Sequence, residues 1–109
     1  MILKKLSIII VNYNTGEELI LCIKSIRKYL INIPYEILLV DNNSTDNSRE
    51  LVEENFTDIQ KIYLKTNTGY AFANNYGIKK STGDYILLLN PDTILIDSSL
   101  EKMIEFLYN

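Results

Sequence analysis

Four short apolar runs alternate with four amphipathic segments along this 109-residue chain, and no other feature constrains its fold more. The runs cover residues 6–11, 36–40, 59–64 and 85–89. Ile, Leu and Val fill three of them almost continuously, as in strands covered on both faces, whereas 59–64 alternates and is expected nearer an edge. Strands that alternate with helices form βαβ units with right-handed crossovers. We therefore predict an α/β, Rossmann-like fold with a mainly parallel four-stranded sheet flanked by helices.

The helices are predicted from apolar residues spaced three and four apart, most clearly in 19–30 and 100–107. A third segment covers about 69–80, where Gly77 weakens the helical pattern. Residues typical of helix caps accompany these segments. The expected caps are Thr15 with Glu18, Asp46 or Asn47, Ser98 with Glu101, and Gly83 at the end of the third helix.

The composition excludes several kinds of catalytic, metal-binding and nucleic-acid-binding site. The chain has no histidine, which excludes a Ser-His-Asp triad, a Cys-His dyad and histidine ligands for zinc. Its one cysteine, Cys22, falls on the apolar stripe of the first helix and is expected to be buried. Fourteen acidic against eleven basic residues give a net charge of −3, which argues against nonspecific nucleic-acid binding. The longest apolar stretch near the N-terminus is too short for a membrane helix, so we expect a cytoplasmic protein.

The polar segments that follow the four strands are the candidate site. In a parallel sheet, ligands bind outside the carboxyl ends of the strands, where the strand order reverses. These segments, residues 12–15, 41–46, 65–70 and 90–93, are rich in Asn, Asp, Ser and Thr. Neither a P-loop motif nor the G-x-G-x-x-G motif of dinucleotide sites is present. A dinucleotide pyrophosphate would therefore lack the close backbone approach that this glycine motif provides.

Two of these segments carry residues that suit a nucleotide or a metal. Asp41 directly follows the second strand, where its carboxylate can accept hydrogen bonds from a ribose or a base; alternatively, Asp41 or Asp46 caps the second helix. Pro91 favours an extended Asn90, so that Asn90 and Asp92 would project together as oxygen ligands for Mg²⁺ or Mn²⁺. The alternative is a simple Asn-Pro-Asp turn.

Four motifs follow one another along nearly the whole chain: IIIVNYN at 8–14, LLVDNNSTD at 38–46, NTGYAFANNYGI at 67–78 and LLLNPDT at 87–93. Together they resemble the N-terminal, nucleotide-binding half of the family 2 glycosyltransferases, which have the GT-A fold. The Asn-Pro-Asp-Thr variant looks most like the rhamnosyltransferase-like branch. The resemblance implies that residues 1–109 are the nucleotide-sugar-binding part of a larger GT-A domain. The lack of a closing strand after the last helix also predicts a fragment.

The resemblance assigns expected roles to single residues. Asp41 would bind the base or the ribose, and Gly69 and Tyr70 would lie in a loop over the nucleotide. Asp92 would bind the metal as the last acid of a D-x-D-like motif. Asn90 takes the place of that motif's first acid, which leaves the metal site one charge short. The expected nucleotide-sugar ligands in full are Val11, Asn12, Tyr13, Asn14, Asp41, Asn43, Gly69, Tyr70, Asn74, Asn75 and Asn90.

The reaction that the resemblance implies is transfer of a sugar, with inversion, from a UDP- or dTDP-linked donor to an acceptor hydroxyl, in polysaccharide or cell-surface glycan synthesis. Mg²⁺ or Mn²⁺ would act as Lewis acid on the leaving diphosphate, and a carboxylate would deprotonate the acceptor. In the family that base, and the site for a glycan or lipid-linked acceptor, belong to a later half. The chain is therefore expected to be inactive alone, and the later half could hold it peripherally at the inner face of the membrane.

Two other functions remain open at this point. A nucleotidyltransferase would share the nucleotide site but usually has a Gly-rich basic loop after its first strand, and residues 12–16 contain neither Arg nor Lys. A noncatalytic nucleotide-binding or assembly module would associate with another chain or a second copy through an open sheet edge. Substitution of Asp41 and Asp92 separates them, because loss of nucleotide binding favours the enzyme and loss of dimerisation favours the module.

Overall fold

The computed structural model describes residues 4–108, in which strands and helices alternate along the chain. The elements are β1 (Leu6–Asn12), α1 (Gly16–Tyr29), β2 (Tyr35–Asp41), α2 (Ser48–Asn55), β3 (Gln60–Tyr63), α3 (Tyr70–Lys80), β4 (Tyr85–Leu89) and α4 (Ser99–Tyr108). The four strands form one sheet in the order β3-β2-β1-β4, and each neighbouring pair is parallel. The predicted α/β fold with a four-stranded parallel sheet flanked by helices is confirmed.

β1 lies inside the sheet and pairs with β2 on one side and with β4 on the other. All seven of its residues are buried, as expected of an apolar strand covered on both faces. The chain passes from β1 outward to β2 and β3, and then returns to the opposite side of β1 as β4. The strand order therefore reverses at β1, and the carboxyl ends of β1 and β4 flank the crevice where such sheets bind ligands.

β3 and β4 are the edge strands of the described sheet. The edge position expected for the third strand is confirmed. For the fourth, the expectation of cover on both faces is wrong within residues 4–108. Tyr85, Leu87 and Leu89 pack against the core, whereas Ile86 and Leu88 are 44% and 47% exposed. The reason is that α3 packs chiefly on β1 and β2, and so leaves this face of β4 open.

The core lies on both faces of the sheet. On one face, side chains from α1, α2 and α4 pack on β1 and β2, and the buried set includes Ile8, Ile10, Leu39, Ile23, Phe56 and Ile104. On the other face, Ala73 of α3 packs against Val11 and Val40. The absence of a side chain at Gly77 permits this approach, because a Cβ there would lie 2.6 Å from Cγ2 of Ile9. The glycine that weakened the helical pattern thus marks where α3 meets the sheet.

The apolar stripe of α1 is buried as predicted, Cys22 included. This helix is the longest in the described chain, at 14 residues. None of the helices within residues 4–108 combines the length and the apolar character needed to cross a membrane.

Thr15 and Asn47 stand at the expected N-caps but make no capping hydrogen bond with their side chains, and the C-cap expected at Gly83 is wrong. Thr15 occupies the N-cap of α1 but makes no side-chain cap bond; its hydroxyl donates to Oδ1 of Asn12 instead. Asn47 likewise stands at the N-cap of α2 without a side-chain cap bond. The C-cap of α3 is Ser81 rather than Gly83, whose N–H donates to the Ser7 hydroxyl of β1 at 2.8 Å.

Glu101 was expected in a capping box with Ser98, and it has a different role. Its side chain is buried, and Oε1 accepts hydrogen bonds from the backbone N–H groups of Ile31 and Asn32 at 2.7 and 2.6 Å. The amide of Asn32 donates to Oε2 at 3.3 Å. Glu101 therefore ties α4 to the connection between α1 and β2, a contact between residues that are far apart in the sequence.

We expect Gly77→Ala to lower the stability of the fold. Alanine favours a helix over glycine by about 1 kcal/mol, but its Cβ would overlap the buried side chain of Ile9, and overpacking of this kind costs about 1–3 kcal/mol. The net loss should be visible as a lower urea midpoint. Lys79→Ala, at an exposed position of the same helix, is the control and should change the free energy of unfolding by less than about 0.5 kcal/mol. A stabilised Gly77→Ala would show that α3 does not press on β1.

Candidate functional site

A cavity of about 440 Å³ opens at the carboxyl ends of β1, β2 and β4. All four polar segments predicted from the strand ends contribute to its wall, together with Val11 at the end of β1. Its lining residues are Val11, Tyr13, Thr15, Asn42, Asn67, Gly69, Tyr70 and Pro91. The volume lies within the usual range for small-molecule and cofactor sites. The cavity is therefore the candidate functional site of the described chain.

Four of the residues predicted to bind the nucleotide line this cavity: Val11, Tyr13, Gly69 and Tyr70. Four other lining residues fall within the predicted polar segments but were not among the expected ligands, namely Thr15, Asn42, Asn67 and Pro91. Asn42 could have been found, because neighbouring residues of an extended chain point in opposite directions. If Asp41 faces into the protein, the residue after it faces the crevice.

Asn12 is fully buried at the end of β1, directly opposite Asp41 in the pairing with β2. Its Nδ2 donates to Oδ1 of Asp41 at 2.8 Å and to the hydroxyl of Ser44 at 3.1 Å. Its Oδ1 accepts from the backbone N–H of Thr15 at 3.3 Å and from the Thr15 hydroxyl. These bonds use the full capacity of the side-chain amide. Asn12 thus joins two strand ends to the start of α1, and only its backbone is left for the predicted ligand contact.

Asp41 is only 2% exposed, and the protein already holds its carboxylate. Oδ1 accepts from Asn12 and, at 2.7 Å, from the hydroxyl of Ser44; Oδ2 accepts from the backbone N–H of Ser44 at 2.9 Å. The carboxylate closes a turn with Ser44 and does not cap α2. Asp41 does not line the cavity, so its contact with a base stays a prediction, for which Oδ2 keeps one free acceptor position.

Asn14 joins the loop after β1 to the loop after β2. It has a positive φ of 55°, and its Oδ1 accepts from the backbone N–H groups of Thr45 and Asp46 at 2.7 and 3.1 Å. Its own N–H donates to the Ser44 hydroxyl at 2.9 Å. Tyr13 lies between the two anchored asparagines and is 46% exposed in the cavity wall. The network therefore presents an aromatic ring on a backbone that is held on both sides.

The remaining predicted asparagines differ in their surroundings. Asn74 is buried, and its Nδ2 donates to the carbonyl of Tyr70 at 3.2 Å within α3. Asn75 is exposed on the same helix. Asn43 is exposed in the loop after β2 and has a positive φ of 63°. None of these three lines the cavity in the described chain, and their contacts with a nucleotide stay predictions.

Asn42 connects the end of β2 to the loop before α3. Its Oδ1 accepts from the backbone N–H of Thr68 at 2.7 Å, and its Nδ2 donates to the carbonyl of Gly69 at 3.2 Å. Gly69 has a φ of 84°, a conformation that glycine adopts readily, and it stands at the N-cap of α3. The first residue of that helix, Tyr70, lines the cavity beside it.

The segment after β4 forms a β-turn, the alternative expected for Asn-Pro-Asp, so residues 90–92 are not extended throughout. The N–H of Thr93 donates to the carbonyl of Asn90 at 3.1 Å, with Pro91 at the second turn position, where proline is favoured. Asn90 and Asp92 therefore do not lie in one extended segment, which was the reason to expect their side chains to project together. The side chain of Asn90 instead contacts α3, since the hydroxyl of Tyr70 donates to its Oδ1 at 3.1 Å.

The residues at this turn fit a divalent cation only in part. Among residues 4–108, the structure holds no cluster of three or more His, Cys, Asp or Glu side chains that could bind a metal. Asp92 offers one exposed carboxylate. Mg²⁺ is commonly held by one or two carboxylates together with the phosphates of a substrate. Asp92 therefore fits a cation that arrives with a diphosphate.

Cys22 lies behind the same turn but offers no reactive thiol. Burial, together with the smaller effect of the negative charge of Asp92, raises the pKa of Cys22 to about 11. The thiol therefore stays protonated at neutral pH, and Cys22 contributes to the core, as the sequence predicted.

Comparison with known proteins decides the family. Residues 7–109 match the family model of "Glycosyl transferase family 2". The chain belongs to this family. Its relatives include the glycosyltransferase GlyG of Streptococcus pneumoniae, which is 36% identical over 94% of this chain and 34% of GlyG. The poly(ribitol-phosphate) beta-N-acetylglucosaminyltransferase TarP of Staphylococcus aureus is 31% identical over 95% of this chain and 33% of TarP.

Two solved structures share the fold of this chain. A crystal structure of S. aureus TarS in complex with UDP-GlcNAc superposes with a TM-score of 0.82 and 26% identity, over 94% of this chain and 31% of that one. The mannosyltransferase PcManGT from Pyrobaculum calidifontis, solved with GDP-Man and Mn²⁺, gives a TM-score of 0.83 at 19% identity, over 100% of this chain and 34% of that one. The expected GT-A type of fold is thus confirmed. The chain spans about a third of the length of these relatives.

The loop network predicts a pH-dependent stability. Burial alone would raise the pKa of Asp46, but hydrogen bonds from Ser48 and from the backbone N–H of Gly16 outweigh it and hold the pKa below its usual value. Because the folded-state pKa is lowered, this carboxylate stabilises the fold above its unfolded pKa, near 3.8, and the contribution is lost as the pH falls through the lower folded value. Asp46→Asn should therefore be less stable than the parent at pH 7, and the difference should shrink at pH 2.5.

Urea denaturation at both pH values measures this effect. Asn47→Ala is the matched control, since it changes a neighbouring exposed residue without removing a charge. Its effect on the free energy of unfolding should be the same at both pH values. A gap between the parent and Asp46→Asn that does not depend on pH would contradict the assigned role of Asp46.

Proposed function

We propose that this chain forms the nucleotide-sugar-binding part of a glycosyltransferase. One observation carries the proposal: a family 2 chain places a cavity of about 440 Å³ at the point where its strand order reverses. An aromatic side chain and two amide side chains, from Tyr13, Asn42 and Asn67, line that cavity. This combination suits a nucleoside, whose base offers a flat face for stacking and whose polar edges take hydrogen bonds.

The relatives support a nucleoside diphosphate as the group that is bound. The TarS structure contains UDP-GlcNAc, and the PcManGT structure contains GDP-Man. We propose a UDP- or dTDP-linked sugar for this chain, with Tyr13 stacked on the base. The predicted contact of Asp41 with the base or ribose is kept as part of the proposal. The rhamnosyltransferase-like branch stays a prediction from the Asn-Pro-Asp-Thr motif.

The diphosphate would lie between α3 and the turn after β4. The N-terminus of α3 begins at the cavity wall with Gly69 and Tyr70, and helix N-termini favour anions through their free N–H groups and the helix dipole. Asp92 is the residue that would hold Mg²⁺ or Mn²⁺. Such a cation supplies Lewis-acid chemistry, which offsets the charge that develops on a leaving diphosphate.

The reaction we propose is transfer with inversion. The acceptor hydroxyl oxygen forms a bond to C1 of the sugar while the bond from C1 to the diphosphate oxygen breaks, and the hydroxyl proton passes to a carboxylate base. We assign neither that base nor the acceptor site to residues 1–109 and expect no sugar transfer from this chain alone. The acceptor we propose is a glycan or lipid-linked hydroxyl of polysaccharide or cell-surface glycan synthesis. The proposed location is the cytoplasm, peripheral to the inner membrane face.

An assembly module is the second candidate, and one observation favours it. The face of β4 that α3 leaves open exposes Ile86 and Leu88 at the edge of the described sheet. A chain that works only through this face would associate with itself or with another chain and would bind no nucleotide. No comparable observation favours a nucleotidyltransferase.

We expect the chain to bind UDP or dTDP, more tightly with Mg²⁺ or Mn²⁺ than without. A titration of ¹⁵N-labelled protein by NMR should shift the amide signals of Tyr13, Gly69 and Tyr70, because these residues line the cavity. Asp92→Ala should abolish the gain in affinity that the metal brings and leave the metal-free affinity within about threefold, since one carboxylate supplies the protein's share of the metal site.

The control for this titration is Glu54→Ala, which removes an exposed carboxylate on α2, away from the cavity. It should keep the metal effect. A well-dispersed spectrum that does not change at millimolar UDP or dTDP would overturn the proposed nucleotide site. Concentration-dependent association under the same conditions would then favour the assembly module.

A further inference from the structure

The contact between Tyr70 and Asn90 lies beside the cavity and is not used by the function proposed so far. Tyr70 begins α3, and Asn90 begins the turn after β4. The phenol hydroxyl donates to Oδ1 of Asn90 at 3.1 Å. Both side chains are largely exposed, so burial does not force them together. Tyr70 and Pro91, the residue after Asn90, both line the cavity, so the contact lies next to the cavity wall.

This hydrogen bond uses one acceptor position of the Asn90 amide oxygen and leaves the whole NH₂ group for a ligand. A side-chain amide has one oxygen with two acceptor positions and one NH₂ group with two donors. The tyrosine hydroxyl has a single proton, and it is given to Oδ1. Within the described chain, Nδ2 of Asn90 has no hydrogen-bond partner in the protein. The amide is planar, so holding its oxygen also sets the directions of its two N–H bonds.

We propose that Tyr70 is a positioning residue, which holds Asn90 so that its amide NH₂ donates to the bound nucleoside diphosphate and its oxygen does not ligate a metal. This inference rests on the proposed function and specifies how one side of that site works. A diphosphate or a ribose hydroxyl offers oxygen acceptors, which match a free NH₂ group. A donor at this position also suits a site with the single carboxylate Asp92, because it contacts an anion without adding negative charge.

The test measures the affinity of the whole chain for UDP by calorimetry, once with EDTA and once with Mg²⁺. The metal ratio is defined as the dissociation constant in EDTA divided by that in Mg²⁺. Asn90→Ala removes the donor and should weaken binding about three- to tenfold in both conditions, so that the metal ratio stays as in the parent. Asn90→Asp replaces the donor with a carboxylate. It should weaken binding in EDTA at least as much and should raise the metal ratio, because a second acid then faces the cation.

Tyr70→Phe keeps the ring and removes only the hydroxyl. It should weaken binding about threefold in both conditions, because the Asn90 amide is no longer held. Tyr76→Phe is the matched control: Tyr76 lies on the same helix, its ring contacts Phe72 and Lys80, and it does not line the cavity. It should bind UDP as the parent does. Thermal melts of all variants should agree closely, since Tyr70 and Asn90 are exposed.

Three other outcomes would contradict either the inference or the proposed function. If Asn90→Ala removes the metal effect, Asn90 is a metal ligand and the inference is wrong. If Tyr70→Phe binds as Tyr76→Phe does, Tyr70 does not position Asn90 and the inference is equally wrong, while the proposed function stands. If the parent chain binds no UDP in either condition, the proposed function fails, and the inference fails with it.

Discussion

The parallel pairing of β1 with both of its neighbours is the constraint on which the rest of this structure depends. A strand placed inside the sheet must be apolar on both faces, and β1 meets that demand with seven buried residues. Its register with β2 sets Asn12 opposite Asp41, and its pairing with β4 brings Asn90 to the same edge of the sheet. Since the strands are parallel, all of their polar carboxyl ends meet at this edge. The position of the candidate site therefore follows from the parallel pairing of the strands.

The polar residues at this edge divide into those that organise loops and those that face the cavity. Residues of the first kind use most of their hydrogen-bonding capacity within the protein. Asn12 donates to Asp41, and both Asp41 and Asn14 bind the hydroxyl of Ser44. Buried polar groups need such partners, because an unpaired one loses its hydration without compensation. The result is a cavity wall whose exposed members, such as Tyr13, are carried by backbone that is already held. A preorganised wall loses less entropy when a ligand binds.

Charge is sparse at this edge of the sheet, and residues 4–108 form no cluster of three or more His, Cys, Asp or Glu side chains there. Asp41 and Asp46 are engaged by N–H and hydroxyl donors, which leaves Asp92 as the exposed carboxylate at the cavity rim. A hard cation needs more oxygen ligands than one side chain supplies, and a diphosphate can bring them. The amide at position 90 adds a polar group without adding charge. Nucleotide and cation would therefore stabilise each other's binding.

The sequence by itself determined the class of fold, the order of the elements, the burial of the α1 stripe and the location of the site. These follow from local patterns, since a strand or helix reveals its period and parallel strands share one carboxyl edge. Its motifs were also specific enough to indicate the family, which the family match to residues 7–109 confirms. The sequence alone could not show which groups each polar side chain at the carboxyl edge of the sheet contacts.

Only the tertiary structure decided those contacts, because the competing partners are distant in the sequence. Glu101 has the spacing of a capping box but binds the N–H groups of Ile31 and Asn32, and Gly83 packs on Ser7 rather than ending α3. Asn90 was expected in an extended segment as a metal ligand. The chain forms a turn there instead, and the hydroxyl of Tyr70 donates a hydrogen bond to the Asn90 amide oxygen. A prediction from local sequence considers only those hydrogen-bond partners that lie close to a side chain along the chain. In the folded protein, donors and acceptors from other helices and strands compete for the same side chain, and the hydrogen bond with the better geometry forms.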